Sequence, residues 1–210
     1  MINHQSASLN IEDIRNGRIK DLVNADLSGL DLSGADLADA DLSQAKLMGA
    51  NLSGANLARA IVRANLRGAN LTGANLIQAD FRNADLRGAI LLDTDPREAT
   101  FAGAFLTGAV FGNLDLSGVS LQSADLRGVS LSRAILQGCD LRNANLSGVD
   151  FSQADLEEAN LSGAVLRGAN LRGANLLCAI VENTQWGGAC LDEACLDGTP
   201  LESIRQGDRL

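Results

Sequence analysis

The sequence has no tyrosine, one tryptophan (Trp186), one histidine (His4) and two prolines (Pro96 and Pro200). Aromatic residues make up only 3% of it, so any core must be thin and built from aliphatic side chains. His4 has no Cys, Asp or Ser partner at a meaningful spacing, which leaves nothing to assemble a histidine-based catalytic site. No excess of basic charge is present. The formal net charge is −9, which argues against direct nucleic-acid binding, because that needs a basic patch. An acidic surface instead suits solubility, a basic partner or mimicry of DNA. No apolar run approaches a membrane span, since leucines and isoleucines are punctuated every few residues. The opening stretch MINHQSASLN lacks both a basic and an apolar leader segment, so a cytoplasmic location is expected. The four cysteines fit no metal or disulfide spacing, and no cofactor is implied.

What the sequence has in abundance is one short phrase. From Ala35 to Ala79 it reads ADLADADLSQAKLMGANLSGANLARA, breaks at Ile61–Arg63, and resumes ANLRGANLTGANLIQA. The unit is A-(D/N)-L-x-x. With the central Leu or Phe as position i, Ala sits at i−2 and Asp or Asn at i−1. A polar residue or Arg follows at i+1, and often Gly at i+2. An α-helix cannot use this pattern, because at roughly 100° per residue the apolar position advances by about 140° per unit and the leucines spiral round the axis. A straight strand fails too: its side chains alternate with period two, so an odd repeat sends successive leucines to opposite faces. The surviving solution is a short extended stretch with i−2 and i inward, a bend at i+2, and the same again. The chain becomes a coil whose interior is stacked Ala and Leu and whose neighbouring turns hydrogen-bond along the axis. Gly at i+2 tolerates the bend, and Asp or Asn at i−1 can accept from nearby backbone amides.

These residues resemble the pentapeptide-repeat family, including its cyanobacterial A-(D/N)-L-x-x members, over Leu22 to Leu201. The resemblance implies an all-β solenoid, a right-handed, four-sided parallel β-helix with four pentapeptides per coil. Residues 1–21 are then an N-terminal tail and capping helix, 22–201 the β-helix, and 202–210 a C-terminal cap. Repeat centres run from Leu22 to Val62, and the next, Leu66, comes four residues on, so one coil should be a residue short. From Leu66 to Leu201 the step of five never slips. That makes about nine coils and a rod roughly 45 Å long at the inter-strand spacing.

A helix is expected near 10–16. Asn10 can cap it with Asp13 at N3, Leu9 and Ile14 can form a hydrophobic staple, and Gly17 stops it. A second helix is expected near 200–206, with Leu201 and Ile204 over the last coil. Both would cover apolar ends and unpaired edges. Pro96 stands where a Leu belongs, and proline cannot donate to the ladder, so the side Leu92–Glu98 should bulge or loop out. Cys139 replaces an inward Ala and reads as core. Cys190 and Cys195 fall at i−1, and Cys178 at a corner.

No catalytic, cofactor-binding or metal site emerges. Paired acids are repeat residues with nothing to perturb them, and Gly-rich runs such as Gly163–Gly168 open no helix. Two surface features stand out. With twenty residues per coil, Arg67, Arg87, Arg127 and Arg167 share a column, broken by Thr107 and Ser147. Asp85 and Asp125 lie beside it, so the column reads either as a charge-compensated side or as a binding stripe. The outward i−1 position also turns apolar at Ile90, Phe105 and Val110, with Leu92 at i+1 on the same side as Ile90 and Val110. This is either an interaction patch rimmed by acids or a satellite core beneath a displaced segment around Pro96.

On function, the residues support a non-enzymatic rigid scaffold or protein–protein interaction module, with the protein partner open, no membrane association, and a monomer expected over a dimer. The resemblance adds an alternative, because family members that bind DNA gyrase are acidic DNA mimics that dimerise through a C-terminal helix. The short tail after Leu201 and the interspersed arginines weigh against that alternative here.

Overall fold

Each pentapeptide supplies one bridging residue and one tight turn. A computed structural model of the chain describes residues 10–202. In the first repeat, the Leu22 N–H donates to the Asp41 carbonyl at 2.8 Å, and the Asp41 N–H donates to the Lys20 carbonyl at 2.8 Å. The Ala25 N–H then closes a turn on the Leu22 carbonyl at 3.0 Å. The i+2 residue of that turn, Asn24, has φ of 60°, the mark of a type II turn. Asp39, Arg133 and Glu158 take the same conformation at other corners, although left-handed backbone costs an ordinary residue about 1–2 kcal/mol.

Parallel bridges join Asp21, Asp26, Asp31 and Asp36 to Asp41, Lys46, Asn51 and Asn56, in that order, and the cycle then repeats. The chain is therefore a coil of four sides, each stacked on the side twenty residues earlier. The ladder runs between levels through single residues, so the extended stretches stay short. Inward positions stack into a continuous apolar column. Ala124 and Leu126 are buried while Arg127 is exposed, as the parity of the repeat requires. Phe81 and Phe101 lie one above the other with ring centroids 4.9 Å apart and planes 6° from parallel. That separation matches the inter-strand spacing of about 4.8 Å, so the rings report the rise per level directly.

The missing residue near Ile61 is taken up locally. Bridges there fall nineteen apart, from Lys46↔Asn65 to Ile61↔Asp80, and return to twenty at Asn65↔Asp85. The Ala64 N–H donates to the Val62 carbonyl at 2.9 Å. A three-residue γ-type turn thus replaces the four-residue corner, and the four sides stay in line.

At the N-terminal end, helix α1 spans Ile11–Arg15. Asn10 Oδ1 accepts from the Glu12 N–H at 3.0 Å, and Gly17 ends the helix at φ +70° with its N–H on the Ile14 carbonyl. Ile14 is fully buried in the core cluster. Arg15 ties the helix to the first level, donating to the Asp31 and Ser33 carbonyls. Leu9, half of the expected staple, lies outside the described residues. At the other end, Thr199–Glu202 forms a turn with the Glu202 N–H on the Thr199 carbonyl. Leu201 packs against the core, while Ile204 and the rest of the expected second helix lie outside the described residues.

One expectation is overturned. The side Leu92–Glu98 does not loop out. Asp95 bridges Asn75, Thr100 bridges Asp80, and Pro96 is buried at the inward position. The disruption falls one level later. Among the described residues no bridge joins Asp95 to Asp115 or Val110 to Ser130, although Ile90↔Val110 and Asp115↔Ile135 are intact. The chain therefore lies against the level below at Val110 and against the level above at Asp115, stepping along the axis between them. The cause lies in the direction of the ladder bonds. Each i-position N–H donates forward, to the carbonyl of the i−1 residue one level on; Leu76 to Asp95 is the example in this column. Pro96 has no N–H to give to Asp115, so the lost bond loosens the next level. Leu114 adds to this. It stands at an i−2 corner occupied by Ala35, Ala55, Ala74 and the smaller Thr94 in earlier levels, and an overfilled corner pushes the backbone outward.

Candidate functional site

The axial step opens two clefts on either side of Phe111–Asn113. The larger, about 310 Å³, lies between Val110 and Ser130. The smaller, about 210 Å³, is lined by Leu92, Asp93, Asn113 and Asp115. Both follow from lost ladder bonds. In the intact column, the Leu131 N–H donates to the Asp150 carbonyl and the Asp150 N–H to the Val129 carbonyl. The equivalent pair one level earlier, Phe111 N–H to the Ser130 carbonyl and Ser130 N–H to the Ala109 carbonyl, does not form among the described residues. Asn51, Asn70 and Ile90 in this column are half-buried, whereas Val110 and Ser130 are exposed on either side of the gap.

Of the apolar patch residues, Val110 lines the larger cleft and Leu92, at i+1, the smaller. Val110 is 45% exposed and Phe105, round the corner, 47%. Ile90 and Leu92 are half-buried. Leu92 reaches beneath Gly112, where an added Cβ would meet its Cδ2 at 2.9 Å, and Gly112 has φ of +63°. Phe105 is not the satellite core that a folded-back segment would create. Its ring instead carries the Arg87 guanidinium 6.0 Å from its centroid, within cation–π range.

The arginine column divides into two kinds. Arg87 grips Asp85 with two hydrogen bonds at 2.8 and 2.5 Å, and Arg127 grips Asp125 at 2.8 and 2.7 Å. These bonds hold both carboxyls below the usual carboxylate range. Arg167 reaches only Gln185, at 2.9 Å, and Arg67 forms no ion pair among the described residues. The geometry behind the gripped pairs is general: i−1 and i+1 point outward from one extended stretch. A D-x-R phrase therefore closes on itself, as it does again in Asp80–Arg82, Asp95–Arg97 and Asp140–Arg142. Half of the column is thus neutralised within its own repeat.

Asp80 is the most strongly held acid. Burial works to raise its pKa, but hydrogen bonds from Arg82 and Arg63 outweigh this and keep the carboxyl well below its ordinary value. Cys139 is fully buried with its Sγ on the Val119 carbonyl, and desolvation pushes its thiol far up. Cys178, Cys190 and Cys195 are free thiols. No group of His, Cys, Asp and Glu among the described residues is arranged to hold a metal, and no described helix is long and apolar enough to cross a membrane. His4 lies outside the described residues. The opening itself has a signal in the sequence that repeat-counting passes over: Leu114, a large residue in an alanine slot.

A coil of four sides, turned at left-handed corners and filled with Ala and Leu, defines a β-helical solenoid of five-residue repeats. The family model for pentapeptide repeats matches eight copies across residues 25–63, 64–95, 97–133, 124–163 and 150–185. The chain belongs to the pentapeptide-repeat family and is a right-handed β-helix. No curated protein matches it significantly. Among solved structures it is similar to HetL of Nostoc sp. strain PCC 7120, a pentapeptide repeat protein involved in heterocyst differentiation regulation. The two share 32% identity over 88% of this chain and 90% of that one, with a TM-score of 0.38. It is also similar to alr5209, a pentapeptide repeat protein from Nostoc, at 34% identity over 52% and 90% of the two chains, TM-score 0.35. QnrB1, a plasmid-mediated fluoroquinolone resistance protein, matches at 21% identity over 82% and 89%, TM-score 0.37. The family assignment rests on the repeat itself.

Proposed function

We propose that this protein is a non-enzymatic scaffold, a rod of about nine coils closed at both ends, that engages a protein partner through the patch of Ile90, Leu92, Phe105 and Val110. The observation that carries this reading is the exposure of Phe105 and Val110, at 47% and 45%, on i−1 positions that most repeats fill with Asp or Asn; Ile61, Ile135 and Ile180 are exposed at the same position elsewhere, but only Val110 stands at the break in the ladder. An apolar cluster at a break in a regular surface is where a rigid rod can offer shape and burial to another protein. The protein acts as a cytoplasmic monomer in this reading. The test is capture from an extract of the cell that makes it, using immobilised wild-type and Phe105→Ser protein. Loss of the captured partner with an unchanged melting curve supports the patch. Equal capture by both proteins removes it.

A second reading has one observation behind it. The four outward i−1 positions of the first level, Asp21, Asp26, Asp31 and Asp36, are all exposed acids, as a mimic of the DNA backbone for DNA gyrase requires. Lys46, Arg15 and Lys20 pair with three of them, which interrupts the negative stripe and ranks this reading second. Inhibition of gyrase supercoiling by micromolar protein would reverse the order.

A further inference from the structure

The broken ladder exposes more than apolar side chains. At the mouth of the larger cleft, the Phe111 N–H, the Ser130 N–H and the carbonyls of Ala109 and Ser130 lack the bonds that close every neighbouring level of this column from Asn51 to Ile90. Backbone groups left open at a sheet edge are the template that extended peptides use to add themselves to a sheet. The cleft between them, about 310 Å³, is at the small end of ligand pockets, which start near roughly 300 Å³. It suits one apolar side chain rather than a folded surface.

Charge selects the neighbour of that side chain. The adjoining cleft presents Asp93 and Asp115. Among the described residues Asp115 accepts only from the backbone and hydroxyl of Ser117, and neither acid forms an ion pair with any described cation. This contrasts with Asp85, Asp95 and Asp125, each gripped by the arginine two residues on. Two uncompensated carboxylates beside an apolar slot, on a chain of net charge −9, favour a cation at that spot.

We infer that the step between Val110 and Ser130 is a docking slot for an extended peptide segment of a partner, one that places an apolar side chain in the cleft and a lysine or arginine beside it on Asp93 and Asp115. The inference rests on the patch being an interaction surface and specifies its occupant. The peptide backbone takes up the open N–H and carbonyl groups at 109–111 and 130, which gives affinity, and the apolar–basic pair gives selectivity.

The test uses the full chain and a random peptide display library. Enriched peptides are synthesised and titrated calorimetrically against the wild type, Val110→Asp, the double variant Asp93→Asn with Asp115→Asn, and Arg172→Ser as a remote control. Expected are peptides with an apolar residue next to Lys or Arg that bind saturably. The double variant should bind about tenfold more weakly, Val110→Asp should show no binding, and Arg172→Ser should match the wild type, with all melting curves close together. The inference is overturned if no peptide is enriched, if enriched peptides carry no basic residue, or if the double variant binds them as the wild type does. Failure here together with partner loss in Phe105→Ser would leave the patch standing and show that its partner presents a folded surface instead.

Discussion

Leu126→Ala is the most direct probe of the solenoid core. Leu126 is fully buried, and its side chain sits between those of Leu106 and Leu146, one level to either side in the same column. Truncation removes three carbons, about 2.4 kcal/mol at roughly 0.8 kcal/mol per methylene. A cavity penalty adds to this when the surroundings cannot collapse, and buried Leu→Ala changes span about 2–5 kcal/mol. Collapse is resisted here because the levels are held apart by backbone ladder bonds, such as Leu126 N–H to the Asn145 carbonyl at 2.9 Å. The expected loss is about 3–4 kcal/mol. For a chain of this length, 1 kcal/mol shifts the melting temperature by about 2–4 °C, which gives a fall of roughly 6–16 °C by circular dichroism. Arg127→Ser, at the next residue, removes an exposed ion pair and should barely move the curve. Leu126→Asp, which buries an unpaired carboxylate, should be worse than the alanine. Because a solenoid level contacts chiefly its neighbours, lost amide protection should centre on the levels holding Leu106, Leu126 and Leu146. Coincident melts for Leu126→Ala and Arg127→Ser would refute the assignment of inward and outward positions.

Arg133→Gly should stabilise the fold by about 0.5–1 kcal/mol, since it relieves a left-handed corner at φ 61° at the cost of glycine's greater chain entropy; an unchanged urea midpoint would show the corner to be unstrained. Asp80 has a folded pKa depressed below its unfolded value, so its contribution is complete above pH about 4 and is lost as pH falls towards the folded value. Asp80→Asn should therefore flatten the acid side of the melting-temperature profile, and a profile parallel to the wild type would show the pair to be energetically idle. Gly112→Ala should destabilise the step through the Leu92 contact and a strained φ, whereas Gly128→Ala, also at positive φ but with no atom near its added Cβ, should cost only the strain; equal losses in parallel thermal melts would remove the contact from the account. Insertion of one glycine between Arg63 and Ala64 restores the step of five and should be tolerated with a similar melting temperature; loss of folding would show that the tight turn is required.

The parity of a five-residue unit was enough to place Ala124 and Leu126 inside and Arg127 outside, and counting was enough to find the short side at Ile61–Arg63. Both are properties of the chain along its own length. What counting could not locate was the consequence of Pro96. A proline inside a repeat suggests damage where it stands, yet its ring fits an inward position, since its fixed φ suits extended backbone. The damage lies in a bond to another level, and that bond's direction is a property of the ladder, not of the repeat. Only once the N–H of each centre is seen to donate forward by nineteen residues, as Leu76 does to Asp95, does the missing Pro96 donor point to Asp115. The same geometry explains why Leu114 matters. A large side chain in an alanine slot is harmless if its corner can expand, and this corner can, because the bond that would have held it was the one proline removed. The two departures from the repeat, eighteen residues apart in sequence, act on a single corner of the coil. The open backbone beside Val110 is their joint product.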